Sequence, residues 1–246
     1  MTEIGERWLQ LDGLDNARDV GGLPLGAGGR TRFGVLLRSA SLHYLTPADV
    51  SYLVDEFGLQ LVLDLRAPVE IDRDGPTAVA EAGVETIGLT FIGVSRQALP
   101  ENEEITMLQA YRGYLADHPG NVVTAVRRLA AADTGPALVH CAAGKDRTGT
   151  LVALVLDAVG VERAAVIADY ELSAQHVEAL FRRWTTASGE PMPTDLDRHK
   201  PRAETMTALL DQLDEQHGGA ANWLLANGLE EAELARLRER FTDPAA

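Results

Sequence analysis

An α/β fold is predicted, with a mostly parallel central sheet flanked by helices and a helical C-terminal part. Three observations point to it. Short apolar runs alternate with helix-length segments as far as Val159, the pattern of strand–helix–strand crossovers. The runs at 59–65 and 137–140 are apolar at nearly every position rather than at every second one, as in strands covered on both faces. The chain has 246 residues, 46% hydrophobic and 24% charged, enough for one domain with a sizeable core. A single domain over 1–246 is therefore expected.

The elements follow in order. The turn-rich stretch Gly21–Gly29 predicts tight turns or a hairpin. Val35-Leu36-Leu37 is a short buried strand. Thr46-Pro47-Ala48-Asp49 starts a helix: Thr46 can cap, Pro47 suits the first helical position, and Asp49 can reach back. Gly58 stops it. Leu59–Leu65 is a strand, and Val84–Leu89 a weaker one. Within 92–120 the chain is expected to form a helical lid or insertion, with a helix from Met107 to Leu115 ended by His118-Pro119-Gly120. Asn121–Ala131 carries Val122, Val126 and Leu129 on one helical face. Ala137–His140 is a strand, and Leu151–Val159 an apolar helix packed mid-domain. From Val161 onward the pattern is mostly helical, broken at Pro191-Met192-Pro193, Gly218-Gly219 and Gly228.

Composition narrows the function. A net charge of −15 repels nucleic acid and anionic membranes on average, so nucleic acid is not an expected partner and any attraction for a phosphate ester must be local to the site. No apolar run is long enough to span a bilayer, and no stable membrane insertion is expected. The N-terminus has no apolar signal-like stretch, and the one cysteine permits no internal disulfide. Together these suit a cytoplasmic protein. The six histidines stand singly, without the local spacing of a metal site, and neither a metal nor a cofactor is expected.

One segment carries chemistry: His140-Cys141-Ala142-Ala143-Gly144-Lys145-Asp146-Arg147-Thr148-Gly149, a cysteine and an arginine separated by five residues, placed between a strand and a helix. Open α/β sheets bind ligands there. The small residues Ala142, Ala143 and Gly144 let backbone N–H groups turn inward as an anion nest. The N-terminus of the next helix adds partial positive charge. Arg147 offers a planar fork for two phosphate oxygens. Cys141, facing the same field, is expected to attack as a thiolate, forming a phosphocysteine that water then hydrolyses. Lys145 and Thr148 complete the phosphate-binding set. Thr148 either meets the cysteine sulfur or caps the following helix, and His140 orients the loop.

These residues resemble the bacterial tyrosine-protein phosphatases whose signature loop reads HCxxGKDRTG. The likeness extends to Asn16-Ala17-Arg18-Asp19-Val20-Gly21-Gly22, Leu37-Arg38-Ser39-Ala40 with Leu42, Leu63-Asp64-Leu65-Arg66 with Glu70, Asp169–Ser173, and the last helix from Leu229 to Phe241. The resemblance implies a phosphatase fold and dual-specificity activity on phosphotyrosine, with phosphoserine, phosphothreonine and phosphoinositides as further substrates. Lys145 has its counterpart in lipid phosphatases. Phosphorylated proteins or phosphoinositides are the implied partners.

The leaving oxygen needs an acid. No Trp-Pro-Asp triplet is present, and the resemblance implies Asp146, inside the loop. The alternative for Asp146 is an ion pair with Lys145 or Arg18 that shapes the loop; Asp64 and Asp117 are outside candidates. Arg38 and Arg66 are expected to support structure, with Asp64, Arg66 and Glu70 forming an internal ion-pair network. Tyr111 and Tyr114 are expected in the core, or else sandwiching an aromatic ester. Two other functions fit the loop less well: a phosphate-binding module, which needs no nucleophile, and a sulfurtransferase, which the Arg147-Thr148 end does not suit.

Overall fold

The computed structural model describes residues 7–92, 106–131, 135–243 and 245. Its strands are β1 (Arg18–Asp19), β2 (Arg30–Thr31), β3 (Leu36–Ser39), β4 (Leu61–Asp64), β5 (Glu85–Gly88), β6 (Ala137–His140) and β7 (Thr242–Asp243). Five of them form a sheet in the order β1-β3-β6-β4-β5. β3, β6, β4 and β5 run parallel, and β1 pairs antiparallel on the edge. β6 lies at the centre, with Leu138 opposite both Leu37 and Val62. Every residue of β3, β4 and β6 is buried, whereas the edge strand β5 is largely exposed. This is the split expected from near-continuous apolar runs in the first group and mixed polarity in β5.

The helices are α1 (Pro47–Ser51), α2 (Pro68–Asp74), α3 (Ala78–Glu81), α4 (Met107–Asp117), α5 (Pro119–Ala130), α6 (Asp146–Ala158), α7 (Arg163–Glu171), α8 (Val177–Ser188), α9 (Ala203–His217), α10 (Ala220–Ala226) and α11 (Glu231–Phe241). Alternate strand residues feed two cores. Leu36, Leu61, Leu63 and Val139 pack with α4, α5, α6, α9 and α11, while Leu37, Val62 and Leu138 pack with Leu42, Leu53, Val79 and Val84. α6 is apolar on all sides and lies buried between the sheet and the C-terminal helices, as its composition requires. The turn-rich stretch forms the expected hairpin, with Pro24 bridging Arg30, and β7 pairs with β2 to tie the two ends of the chain together.

The capping box at α1 is present: the Thr46 hydroxyl accepts from the Asp49 amide at 3.2 Å, and Asp49 Oδ2 accepts from the Thr46 amide at 2.9 Å. Two boundaries differ from expectation. His118-Pro119-Gly120 ends α4 but also opens α5, because proline at the first helical position loses no hydrogen bond. α6 begins at Asp146 instead of Leu151, so the second half of the signature loop is already helix and Thr148 is not its N-cap; Lys145 holds that position. Of the expected lid at 92–120, residues 93–105 lie outside the described residues, and α4 is the helix expected from Met107. Among the described residues no helix is long and apolar enough to cross a membrane.

Candidate active site

β3, β4 and β6 end side by side at Ser39, Asp64 and His140, and the chain leaving β6 folds into the loop 141–145 before entering α6. The carbonyls of this loop are tied to its surroundings. Ala142 O accepts from the Ser41 amide (3.1 Å), Ala143 O and Gly144 O accept from Asn16 Nδ2 (3.1 Å each), and Gly144 O also accepts from Arg38 Nη2 (2.9 Å). With the carbonyls facing outward, the opposite ends of the same peptide planes face the loop's centre. Among the described residues the amides of Ala142 to Asp146 meet no acceptor. The small residues are expected to form an anion nest here, and α6 begins directly after the loop, with its N-terminus at this end. Gly144 is needed here: its φ is +67°, and a Cβ would overlap the Ser39 carbonyl.

Two supports below the loop escaped the sequence reading. Asn16, itself at φ +57°, is buried and clamps two loop carbonyls, while Arg18 Nη1 donates to its Oδ1 at 2.5 Å. Asp169 on α7 gathers three buried arginines: Arg38 Nη1 at 2.6 Å, Arg18 Nε at 3.2 Å, and Arg7. Burial opposes the Asp169 charge, but Arg18, Arg38 and Arg7 outweigh it and hold the carboxyl far below its ordinary value. Burial and neighbouring Arg38 push the Arg18 guanidinium down to about 9, with Asp169 opposing, so it remains charged at neutral pH. The signal was available. Arg38 inside the apolar strand β3 and Arg18 in the buried edge strand β1 each required an anionic partner.

Arg147, on the first turn of α6, is held by Glu70 through Nη1 (2.5 Å) and Nη2 (3.1 Å). Glu70 in turn accepts the Ala67 amide at the start of α2. Glu70 therefore pairs with Arg147 and not within an Asp64–Arg66–Glu70 network. Arg66 binds Asp64 (2.7 Å) and Asp74 (2.8 Å) instead. Burial works against the Arg147 charge, but Cys141 and then Glu70 outweigh it and strengthen its hold on its proton.

A cavity of about 280 Å³ opens over Cys141, lined by Ala142, Ala143, Lys145, Asp146 and Arg147, by Met107 and Tyr114 of α4, and by Leu180, Phe181, Trp184 and His199. Phe181 packs edge-on to Trp184 with centroids 5.2 Å apart and lies 4.6 Å from His199. The aromatic wall thus comes mainly from α8 and the segment after it, which the sequence reading took as plain helix. Asp146 stands on the cavity's edge. Lys145 Nζ lies 2.7 Å from its Oδ2, and the Tyr111 hydroxyl donates to its Oδ1 at 2.7 Å. Arg18 is committed elsewhere. Asp64 is buried against Arg66, and exposed Asp117 does not line this cavity. Tyr111 and Tyr114 are buried as expected, with ring centroids 5.7 Å apart. The buried Thr148 hydroxyl meets no hydrogen-bond partner among the described residues. Nor is any group of three or more His, Cys, Asp or Glu side chains among them placed to hold a metal ion.

His140 is fully buried beneath the loop, its Nδ1 donating to the Cys141 carbonyl at 3.3 Å and its Nε2 3.7 Å from Asp64. Burial, with Arg66 and Arg147 nearby, holds its pKa below the ordinary 6.5, against the pull of Asp64. The folded state therefore refuses a proton that the unfolded state accepts. The stability this confers is complete above pH 6.5 and declines as pH falls through the folded value. Urea midpoints at pH 7.5 and 5.5 should show a decline, with a slope of up to ~1.4 kcal/mol per pH unit from this one group. His176 shifts in the same direction, so His140→Gln should flatten the profile only in part.

Residues 9–243 match the model of the tyrosine phosphatase family. A tyrosine-protein phosphatase of Nostoc commune is 29% identical over 216 residues, covering 83% of this chain and 73% of that protein. The triple specificity protein phosphatase PtpB of Mycobacterium tuberculosis is 29% identical over 274 residues, covering 93% of this chain and 97% of that protein. Among solved structures, the core catalytic domain of the S. cerevisiae PP-IP phosphatase SIW14 matches with a TM-score of 0.37 and 16% identity, over 68% of this chain and 95% of that one.

Proposed function

The chain belongs to the tyrosine phosphatase family and is a phosphomonoester hydrolase, and we propose that it works through a phosphocysteine on Cys141, without a metal, with phosphotyrosine as its main substrate. The observation that carries this reading is the convergence of Cys141, an inward-facing amide nest and Glu70-held Arg147 at the floor of one aromatic-walled cavity.

The steps follow from the geometry. A phosphate dianion enters the nest formed by residues 142–147. Glu70 occupies the Nη1/Nη2 edge of Arg147, which leaves the Nη2/Nε edge to take two phosphate oxygens. The sulfur of Cys141 attacks phosphorus in line, and the P–O bond to the leaving group breaks. Asp146 gives its proton to that departing oxygen. Charge on the equatorial oxygens meets donors already in position, so little reorganisation is required in the transition state. In the second step Asp146 takes a proton from water as the water attacks phosphorus. The S–P bond breaks, and the sulfur is restored as thiolate; the buried, otherwise unpartnered Thr148 hydroxyl is the donor assigned to it. The side chains of Tyr114, Phe181 and Trp184 favour a planar aryl ester over an alkyl one. Lys145 on the rim would also suit a second anionic group, which keeps phosphoinositides and phosphoserine or phosphothreonine esters as secondary substrates.

The test is chemical. Acid quench during turnover of an aryl phosphate, in the presence of a metal chelator, should trap phosphate on the peptide that contains Cys141. Turnover that stops on chelation, or that leaves this peptide unmodified, would count against the proposal.

A further inference from the structure

Asp146 is gripped from two sides by groups of different kinds. On the cavity side Lys145, partly exposed, pairs with Oδ2 at 2.7 Å. On the protein side the hydroxyl of Tyr111 donates to Oδ1 at 2.7 Å. A phenol has one proton, and Tyr111 spends it on Asp146. The Tyr170 hydroxyl, 2.8 Å from that of Tyr111, must then be the donor in their shared bond. The chain of bonds therefore runs in one direction, from Tyr170 through Tyr111 to Asp146.

The wire is rigid. Both tyrosines are buried and meet edge to face, with centroids 6.2 Å apart and planes at 86°. Tyr170 reaches its position because position 149 is glycine; a Cβ there would lie 2.9 Å from its ring. Burial first, and the Asp146 charge next, keep the Tyr111 hydroxyl protonated well above its ordinary value, so the donor persists at any working pH.

A carboxylic acid delivers its proton from one oxygen. Oδ1 is occupied by a buried donor that cannot swing away, whereas the partner of Oδ2 is a flexible ammonium that an incoming phosphate can draw off. The transferable proton therefore belongs on Oδ2. We infer that Tyr111, backed by Tyr170, is a positioning residue for phosphoryl transfer: it fixes the carboxyl plane of Asp146 and reserves Oδ2 for the leaving group. This rests on the reading of Asp146 as the acid.

The experiment measures kcat/KM, which reports the first chemical step, on aryl phosphates ranging from p-nitrophenol to phenol and tyrosine leaving groups. Wild type, Asp146→Asn, Tyr111→Phe, Tyr170→Phe and the Asp146→Asn/Tyr111→Phe double variant are compared. Tyr111→Phe should lose about tenfold with poor leaving groups and under about threefold with p-nitrophenol. The inhibition constant of inorganic phosphate should stay unchanged. Tyr170→Phe should show a smaller loss with the same selectivity, and carries the test if Tyr111→Phe does not fold. In the Asp146→Asn background, Tyr111→Phe should add no further selectivity. A loss equal for all leaving groups, no loss, or weakened phosphate binding in the tyrosine variants would overturn the inference while a selective Asp146→Asn defect left the acid in place. An Asp146→Asn variant without selectivity would remove the acid, and this inference with it.

Discussion

Cys141→Ser is expected to lower turnover of p-nitrophenyl phosphate by at least about 10⁴-fold, the scale on which removal of a covalent nucleophile acts. The argument is one of separable roles. On the proposed mechanism the loop amides and the Glu70-held Arg147 bind the phosphoryl group, and the bonds that hold them do not involve the sulfur. The serine hydroxyl is smaller, neutral and a far poorer nucleophile, with no base beside it among the described residues. Binding should move in the opposite direction. An anionic sulfur repels a phosphate dianion, so its removal should hold or raise affinity for inorganic phosphate. Thermal shift against phosphate concentration reads this directly, because a ligand that binds only the folded state stabilises it by RT ln(1 + [L]/Kd). Loss of turnover with retained phosphate stabilisation supports the assignment. Residual turnover within about a hundredfold of wild type would move the nucleophile elsewhere.

The chemistry of the site was legible in the sequence to the extent that it is local. The small residues, the helix N-terminus and the Cys141–Arg147 spacing belong to one short stretch, which follows directly on the end of β6. The strands were legible because β3, β4 and β6 are buried on both faces, which removes the ambiguity of alternation. The start of α6 was not, because Asp146-Arg147-Thr148-Gly149 is polar and contains glycine. Local propensity reads that stretch as loop, and the tertiary setting makes it helix.

What remained illegible is long-range. The Glu70–Arg147, Asn16–Gly144 and Tyr111–Asp146 contacts join residues far apart in the chain, and no spacing rule connects them. The sequence offered weaker signals: a buried arginine needs an anion, and a buried tyrosine needs a partner for its hydroxyl. These rules say that a partner exists without naming it. The cavity wall illustrates the same limit. Phe181 and Trp184 follow ordinary helical spacing, which marks an apolar face but does not say that the face covers Cys141.

Asp169→Asn should be the most damaging conservative change for stability. Among the described residues Asp169 is the one carboxylate paired with Arg7, Arg18 and Arg38, all buried, and two of these arginines position the loop: Arg38 directly at Gly144 O, Arg18 through Asn16. Asparagine keeps the shape but removes the charge, and it turns one acceptor oxygen into an N–H₂ group facing a guanidinium. Breaking a buried pair from one side costs about 3–5 kcal/mol, because the surviving charge stays desolvated. For a chain of this size that lowers Tm by roughly 10 °C. The pH dependence separates lost charge from lost packing. The Asp169 carboxyl is held far below the 3.8 of an unfolded aspartate, so its stabilisation is complete above that value and declines as pH falls below it. In Asp169→Asn this part of the acid limb should vanish, and the variant should approach wild-type stability as pH drops. A deficit that stays constant down to pH 2 would mean that packing, and not the ion cluster, is what the substitution removes. Activity should fall as well, through a higher KM, since the carbonyls that aim the nest are held by the arginines Asp169 gathers.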